Sequence, residues 1–374
     1  MHKAICLSTL ALLSASPVLA QSNMDNLRAA FEAAPDFLVT NPDPFHFVFF
    51  DRAAWAEATE GLGVQQTFMR LNFGEMIGPV SALRNGGIEA WEESAEIALD
   101  QVNWFAGFGP TQYAISYWGF GSEAALPPLL DRLQQGDFEY VGESDILGNG
   151  EPQAINMEKH NPSNPWRGGI GQASFIQPQG NVLLQSTYVP EAIEQLRPVD
   201  APLADHMIVA TALSGLEAGM PDDASIIQAL LLSPAFGLQA VDPMAVISST
   251  GSIDETKANL EAAMATAGQG IPAYFGGVLA DIEVDGKTGL AISLSYSDCD
   301  VAADAATQII ARWDSMLGDD LPVSATHEAV PGKDGLCAAS VIFTAASDDI
   351  DLAGQVYQRI LMRDFPVLQI GTTL

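Results

Sequence analysis

The chain has 374 residues, 48% of them hydrophobic, and carries 47 acidic against 15 basic side chains, a formal net charge of −32. This length is enough for two domains that each bury a core. The acidity excludes nucleic acid and anionic lipid head groups as partners, because both repel a negative surface. The acidic residues are dispersed, which favours a role in solubility over a cation-binding tract.

The N-terminus predicts export. Lys3 precedes an apolar run, Ala4–Leu13, and Val18-Leu19-Ala20 offers a small-residue cleavage site before Gln21. These are the features of a secretory signal peptide, so residues 1–20 are excluded from the fold and a periplasmic or secreted location is expected. No later run of 18 or more apolar residues follows, and no transmembrane segment is predicted in the mature chain.

Hydrophobic periodicity predicts a helical lead-in to the first domain. Helices are expected at Asp25–Ala34, Asp51–Glu60 and Gly87–Gln101, with a buried strand at Phe45–Phe50. Three tryptophans in apolar surroundings are predicted to lie in the core and not in a ligand cage. They are Trp55, Trp91 and Trp104.

A mixed unit follows this lead-in. Its predicted elements are a strand at Tyr113–Gly119, a helix at Ser122–Gln135, a strand at Phe138–Val141, a hairpin of Gln172–Gln177 with Val182–Tyr188, and a helix at Pro190–Leu196. A similar order recurs towards the C-terminus. The tripeptide Ala114-Ile115-Ser116 also recurs as Ala291-Ile292-Ser293, which is a hint of two related domains.

The domain boundary is predicted within Gly215–Asp223, where glycine, proline and aspartate interrupt the periodicity. This divides the mature chain into an N-terminal domain, 21–218, and a C-terminal domain, 219–374. Helices are predicted at Leu203–Leu216, Ala224–Leu232 and Glu255–Ala267 around this boundary.

The C-terminal domain has the clearest pattern. Strands are predicted at Leu290–Tyr296, Ser324–Val330, Cys337–Ala345 and Val367–Ile370, and helices at 301–317 and 350–360. The order βαββαβ is that of a ferredoxin-like fold. The predicted fold class is therefore α+β, with two related ferredoxin-like domains and an added N-terminal helical segment.

The same topology predicts a disulfide. The first and third strands of a ferredoxin-like sheet are antiparallel neighbours, so Cys299, just after the first, should meet Cys337, which begins the third. An even pair in an exported chain favours a disulfide over a metal site. A predicted hairpin partner at Tyr274–Val284 competes for the same edge of the first strand. We expect it to displace the fourth strand outward or to add a fifth strand.

Several short segments resemble exported bacterial proteins built from tandem ferredoxin-like units. They are Val182-Leu183-Leu184 running into Pro190-Glu191-Ala192-Ile193, Leu203-Ala204-Asp205-His206, Ile271-Pro272-Ala273-Tyr274 and Arg363-Asp364-Phe365-Pro366. The resemblance covers most of the chain after residue 100. It implies the fold, but it brings no known activity and no site residues.

One motif is compatible with nucleotide binding. Gly119-Phe120-Gly121-Ser122-Glu123-Ala124 follows a predicted strand and opens a predicted helix, as in a dinucleotide fingerprint, and Glu143 follows at the end of the next strand. Without further βαβ units, a glycine turn into a helix is the alternative interpretation. No cofactor is predicted.

Other catalytic patterns are weak. No G-x-S-x-G motif occurs, and the histidines are too far apart in sequence for a typical metal motif. The cluster Asp298, Asp300 and Asp304 is interpreted as capping and solvent exposure of the following helix, and no metal site is predicted. A hydrolase remains an alternative function, and its acid and base would be two convergent carboxylates in a cleft.

The best candidate for a functional surface is the segment Gly148–Gly169. A loop of this length within a compact domain is uncommon and is often functional. It brings His160, Trp166 and Arg167 together, and an exposed Trp beside an Arg would suit a partner, a sugar or an aromatic group. The alternative is an insertion whose Trp pins it to the core. The predicted function is an exported binding or interaction protein of the cell envelope, with an envelope protein or a small ligand as partner.

Overall fold

The computed structural model describes residues 23–40, 45–109, 114–167, 170–187, 190–196, 201–238 and 270–371. The predicted signal peptide and the predicted helix Glu255–Ala267 lie outside these residues.

The strands of the described residues form one sheet of twelve, in which every neighbouring pair is antiparallel. In chain order they are β1 (Phe45–Asp51), β2 (Val102–Phe108), β3 (Ile115–Phe120), β4 (Glu139–Tyr140), β5 (Leu147–Gly148), β6 (Phe175–Gln179), β7 (Val182–Ser186), β8 (Ser225–Leu232), β9 (Gly276–Val284), β10 (Lys287–Tyr296), β11 (Val323–Pro331) and β12 (Cys337–Ala345).

The α-helices of the described residues cover both faces of this sheet. They are α1 (Asn23–Glu32), α2 (Arg52–Ala58), α3 (Val64–Met69), α4 (Gly78–Ala95), α5 (Leu126–Gln135), α6 (Pro190–Gln195), α7 (Met207–Gly219), α8 (Pro234–Leu238), α9 (Cys299–Met316) and α10 (Leu352–Leu361). No helix in the described part of the chain is long and apolar enough to cross a membrane.

The strand order contains an internal repeat. It runs β11-β12-β10-β9-β8-β1-β2-β3-β7-β6-β5-β4. From the central β1–β8 pair outward, one half begins with β1, β2 and β3, and the other begins with β8, β9 and β10. In each half a hairpin comes next, with its second strand (β7 or β12) on the inner side and its first strand (β6 or β11) on the outer side. A helix, α5 or α9, precedes each hairpin. The tripeptides at 114–116 and 291–293 fall at the third strand of each half, β3 and β10.

Two hydrophobic cores lie on opposite faces of the sheet. One contains Trp55, Trp91 and Trp313 from α2, α4 and α9. The other contains Phe31 from α1 and Leu213 from α7. Both faces are therefore buried, and the predicted core position of Trp55, Trp91 and Trp104 is confirmed, because each is at most 2% exposed.

The predicted helix Ala224–Leu232 is wrong, because this segment is the central strand β8. Its side chains alternate between the cores, with Leu230 in one and Leu231 in the other. A strand buried on both faces is a continuous apolar run, which periodicity cannot distinguish from a buried helix.

The α+β class is confirmed, but two ferredoxin-like domains are not. Strand β1, from the predicted N-terminal domain, pairs directly with β8, from the predicted C-terminal domain. Helix α7, which lies almost entirely before the predicted boundary, packs against β9, β10 and β12 of the C-terminal part. The predicted fourth strand Val367–Ile370 is not in the sheet. A 3-10 helix, Pro366–Leu368, covers its first two residues, and Ile370 forms an isolated bridge with Ile271. Strand β9 pairs with β10 in the place that the fourth strand would take.

The predicted pairing of the first and third strands is confirmed, and so is the disulfide. Strand β10 pairs with β12 from Gly289–Thr344 to Tyr296–Cys337. Cys299, the first residue of α9, therefore lies beside Cys337, with their Cα atoms 5.0 Å apart, and the two form a disulfide. The cross-link ties the start of α9 to the start of β12.

A buried ionic cluster joins the helical segment after β1 to the centre of the sheet. Arg70, just after α3, donates hydrogen bonds to Asp281 and Glu283 on β9. Asp281 is fully buried and also accepts from Gln228 on β8, at 3.0 Å. Gln228 in turn donates to the Arg70 carbonyl at 3.0 Å and accepts from the Gly74 amide at 2.8 Å. The cluster thus fixes the chain between α3 and α4 against β8 and β9.

Burial raises the pKa of Asp281 from 3.8 to about 6, although Arg70 and Gln228 lower it. The folded protein therefore holds this proton more tightly than the unfolded chain. The resulting stabilisation is full below pH 3.8 and is lost as the pH rises through about 6. We expect the wild type to gain about 2 kcal/mol of unfolding free energy over Asp281→Asn between about pH 7 and about pH 4.5. Urea unfolding of both proteins across this range measures the change, and a pH-independent difference would contradict it.

Candidate functional site

The predicted binding segment lies over a pocket of about 380 Å³. Its walls come from the end of α4, from α5 and the residues that follow it, and from the long segment between β5 and β6. We call this cavity the insertion pocket. The structure brings the three predicted binding residues His160, Trp166 and Arg167 together in its lining. The polar lining also includes Glu96, Arg132, Asp137, Asn149, Glu158 and Lys159.

Trp166 is 3% exposed, so the expectation of an exposed tryptophan is wrong. Its ring stacks on Trp118 with centroids 4.5 Å apart and an interplanar angle of 4°. Its Nε1 donates to the Ala95 carbonyl at 3.3 Å. Trp166 therefore anchors the long segment to the core, as the alternative interpretation predicted, and it contributes an aromatic floor to the pocket.

A buried glutamine strengthens this anchor. Gln185 on β7 accepts a hydrogen bond from Trp118 Nε1 at 2.9 Å and donates to the Pro165 carbonyl at 2.8 Å. Asn164 accepts from the backbone amides of Trp166 and Arg167, at 2.8 and 3.1 Å. The chain that carries the candidate residues is thus held at both its side chains and its backbone.

Asp137 organises the cations of the pocket. It accepts hydrogen bonds from Arg167 Nη2 and from Lys159 Nζ, the latter at 2.8 Å. Partial burial raises the pKa of Asp137, but the bonds from Lys159 and Arg167 outweigh this and hold the pKa below its usual value. Arg167 is 7% exposed and also donates to the Asn149 carbonyl. Asp137 is therefore a carboxylate that positions two cations at the wall of the pocket.

The charge of the lining is balanced, unlike that of the chain. Three basic side chains (Arg132, Lys159, Arg167) face three acidic ones (Glu96, Asp137, Glu158). Arg132 Nε donates to the Glu96 carbonyl at 2.6 Å and not to a carboxylate. In a chain of net charge −32, this pocket is a locally neutral region that contains both strong donors and strong acceptors. It can hold a polar group of either sign.

Sequence reasoning missed Glu96, Arg132 and Asp137. Each belongs to a segment outside Gly148–Gly169, at or just beyond the end of α4 or α5. No local motif marks them, because the contact with the long segment depends on how these helices pack. The one sequence feature that could have indicated the site is Arg132, a basic residue in the last turn of α5 in a chain with few cations.

The glycine motif at 119–124 has a packing role. Gly119 on β3 lies opposite Trp104 on β2. A Cβ at residue 119 would lie 1.9 Å from Trp104 Cε2, whereas a Cβ at Gly121 would meet only the Asn103 side chain, at 3.7 Å. The helix that follows, α5, has proline in its first turn, so that turn presents fewer N–H groups than a phosphate-binding helix. Gly119 is therefore explained by its close contact with Trp104 inside the sheet, and not by a turn.

Gly119→Ala should be destabilising. The new methyl group would overlap a Trp104 ring that is only 2% exposed, and we expect a loss of about 1–3 kcal/mol in unfolding free energy. Gly121→Ala, in the same motif, is the matched control and should change stability by less than about 0.5 kcal/mol. Thermal or urea unfolding of the two variants tests the difference. Equal stabilities would show that the Trp104 contact is unimportant.

A second cavity, of about 260 Å³, is acidic. Asp223, Glu283 and Asp285 line it beside the β9–β10 turn, together with Glu57 from α2. The Asp223 and Asp285 side chains share a hydrogen bond, which raises the pKa of Asp285. Two carboxylates therefore converge at this surface, as the hydrolase alternative requires.

No cluster of metal-ligating side chains occurs among the described residues. Asp298 accepts from the Val301 amide at 2.9 Å and caps α9, as predicted. His206 accepts from the Ile208 amide at the start of α7. These side chains have local structural roles.

Comparison of the chain with models of known protein families, with curated proteins and with solved structures found no match.

Proposed function

We propose that the protein is an exported binding protein of the cell envelope that holds a small polar ligand in the insertion pocket. The observation that carries this proposal is the convergence of Arg132, Lys159, His160 and Arg167 around one cavity in a strongly acidic chain. Export is inferred from the signal-like N-terminus, and the compartment is part of the proposal.

The pocket has the properties of a preformed binding site. Its volume of about 380 Å³ lies within the range of small-molecule sites. Its walls are held by the Trp166–Trp118 stack and by the Asp137 ion pairs, so binding would order few side chains. The lining combines an aromatic floor with charged donors and acceptors. We infer a polar ligand, with Lys159 and Arg132 as donors to its acceptor oxygens.

The experiment is a binding screen of the purified protein against sugars, sugar acids, amino acids, dicarboxylates and phosphate esters, read as a rise in melting temperature. For a ligand that binds, we expect Lys159→Ala and Arg132→Ala each to raise the Kd about tenfold or more, because each removes a charge-assisted hydrogen bond. Calorimetric titration measures the Kd.

Lys333→Ala is the matched control, since Lys333 is an exposed lysine outside the pocket. It should leave the Kd unchanged. The proposal fails if no compound of the panel stabilises the protein, or if the pocket variants bind as tightly as the control.

The acidic cavity favours a second candidate function, hydrolysis. The shared hydrogen bond between Asp223 and Asp285 raises the pKa of Asp285, and a general acid needs such a shift. Nitrophenyl glycosides and esters are suitable probes, and Asp285→Asn should abolish any activity found. Turnover that is absent, or unaffected by Asp285→Asn, would exclude this function.

A further inference from the structure

Among the residues that the structure describes, strand β11 forms one edge of the sheet, and no strand pairs with its outer side. Within the described residues it has one neighbour, β12, and the nine pairs from Val323–Ala345 to Pro331–Cys337 show no register shift. Natural proteins usually protect an edge with a bulge, a charged side chain, above all lysine, or a proline. In β11 there is no bulge and no lysine, the charged side chain is Glu328, and the single proline is the last residue. The outer edge can therefore pair with another extended segment over most of its length.

The other half of the molecule shows what covers the equivalent edge. In the internal repeat, β6 corresponds to β11, because each is the first strand of the hairpin that follows α5 or α9. The outer edge of β6 pairs with β5, through Leu147–Ile176 and Gly148–Phe175. That strand comes from the long connection between α5 and β6. The connection between α9 and β11, residues 317–322, contains no strand.

A small cavity beside β11 indicates the chemistry of a partner. It measures about 140 Å³ and is lined by Thr326, His327, Glu328, Ser340 and Ile342, with Gly219 at the end of α7. Ser340 is 1% exposed, and its hydroxyl forms no hydrogen bond within the described part of the chain. A Cβ at Gly219 would lie 2.1 Å from Ser340 Oγ, so the space exists because residue 219 is glycine.

Among the described residues, no lysine or arginine side chain lines the cavity, and its ring donor is the imidazole of His327. The Glu328 carboxylate can only accept hydrogen bonds, and the Ser340 hydroxyl can accept one. A lysine or arginine side chain would donate to both. The net charge of −32 would also attract a basic segment and would oppose pairing of β11 with β11 of a second copy.

We propose that the outer edge of β11 binds an extended, basic segment of a partner protein by strand addition, with one Lys or Arg side chain in the cavity against Glu328 and Ser340. Backbone hydrogen bonds to β11 supply affinity, and the cavity supplies the preference for a cation. This interface lies on the half opposite to the insertion pocket and is independent of the ligand proposed there.

The test selects peptides from a random linear decapeptide library, displayed on phage, against the immobilised full-length protein. We expect the selected peptides to carry Lys or Arg among β-branched residues. Replacing that cation by Glu in a synthetic peptide should weaken binding at least tenfold, measured by fluorescence anisotropy. Glu328→Gln should weaken binding of the Lys peptide about tenfold. It should leave the binding of a peptide in which that Lys is replaced by Ala unchanged.

A second measurement tests strand addition directly. N-methylation of alternate peptide residues along one edge should abolish binding, while methylation of the other edge should not, because only one edge would face β11. The proposal is overturned if no peptide is enriched, if Glu328→Gln has no effect, or if both methylated peptides bind. A stable dimer whose interface protects the β11 amides from hydrogen exchange would also overturn it, in favour of a second copy.

Discussion

Arg70→Ala should lower the free energy of unfolding by about 3–5 kcal/mol at neutral pH, the usual cost of removing one partner of a buried ion pair. The substitution leaves Asp281 without its cation at a fully buried position, where Gln228 alone would remain as donor. It also removes the hydrogen bond from Arg70 to Glu283. Urea unfolding at constant pH measures the loss.

The matched control is Arg84→Ala. Arg84 forms an ion pair with Glu75 in the same helical part of the chain, but these side chains are 36% and 40% exposed. An exposed pair contributes about 1 kcal/mol or less. If Arg70→Ala costs no more than Arg84→Ala, the buried cluster does not hold the helical segment to the sheet.

Removal of the disulfide should have an effect of similar size. Cys299 and Cys337 are 38 residues apart, and in the chain-entropy model a loop of this length stabilises the fold by about 4 kcal/mol. We expect the double variant Cys299→Ala/Cys337→Ala to lose about this amount relative to the oxidised wild type, in urea unfolding without reductant.

The wild type with its cysteines reduced provides the control. It should unfold near the midpoint of the double variant, because both lack the cross-link and differ only by two thiol groups. Identical midpoints for the oxidised and reduced wild type would contradict the prediction. The loss of unfolding free energy caused by removing the cross-link should be similar at every pH at which the protein folds. A loss caused by a shifted pKa would vary with pH.

The three predicted binding residues show what local sequence can predict and what it cannot. The composition of Gly148–Gly169 was enough to nominate His160, Trp166 and Arg167, and all three line one pocket. Their roles differ, since Trp166 is an anchor and Arg167 is paired with Asp137. The partners that decide these roles lie up to about seventy residues away in sequence, as Ala95 does from Trp166.

The sequence by itself determined the features that depend on neighbours along the chain. The alternating residues of β10, the four-residue spacing in α9 and the turn at Asp285-Gly286 each specify a local backbone conformation. The topology of these elements also predicted the Cys299–Cys337 pair, because a strand, a helix and a hairpin have few ways to pack.

Only the tertiary structure decided the features that depend on distant pairing. Periodicity could not identify β8 as a strand, because the sheet buries it on both faces and its residues are then apolar throughout. The β1–β8 pairing that joins the two halves, and the meeting of Arg70 with Asp281, 211 residues away, leave no periodic signal. Hydrophobic pattern fixes which side of an element is buried, but the partner that buries it is chosen by the packing of the whole chain.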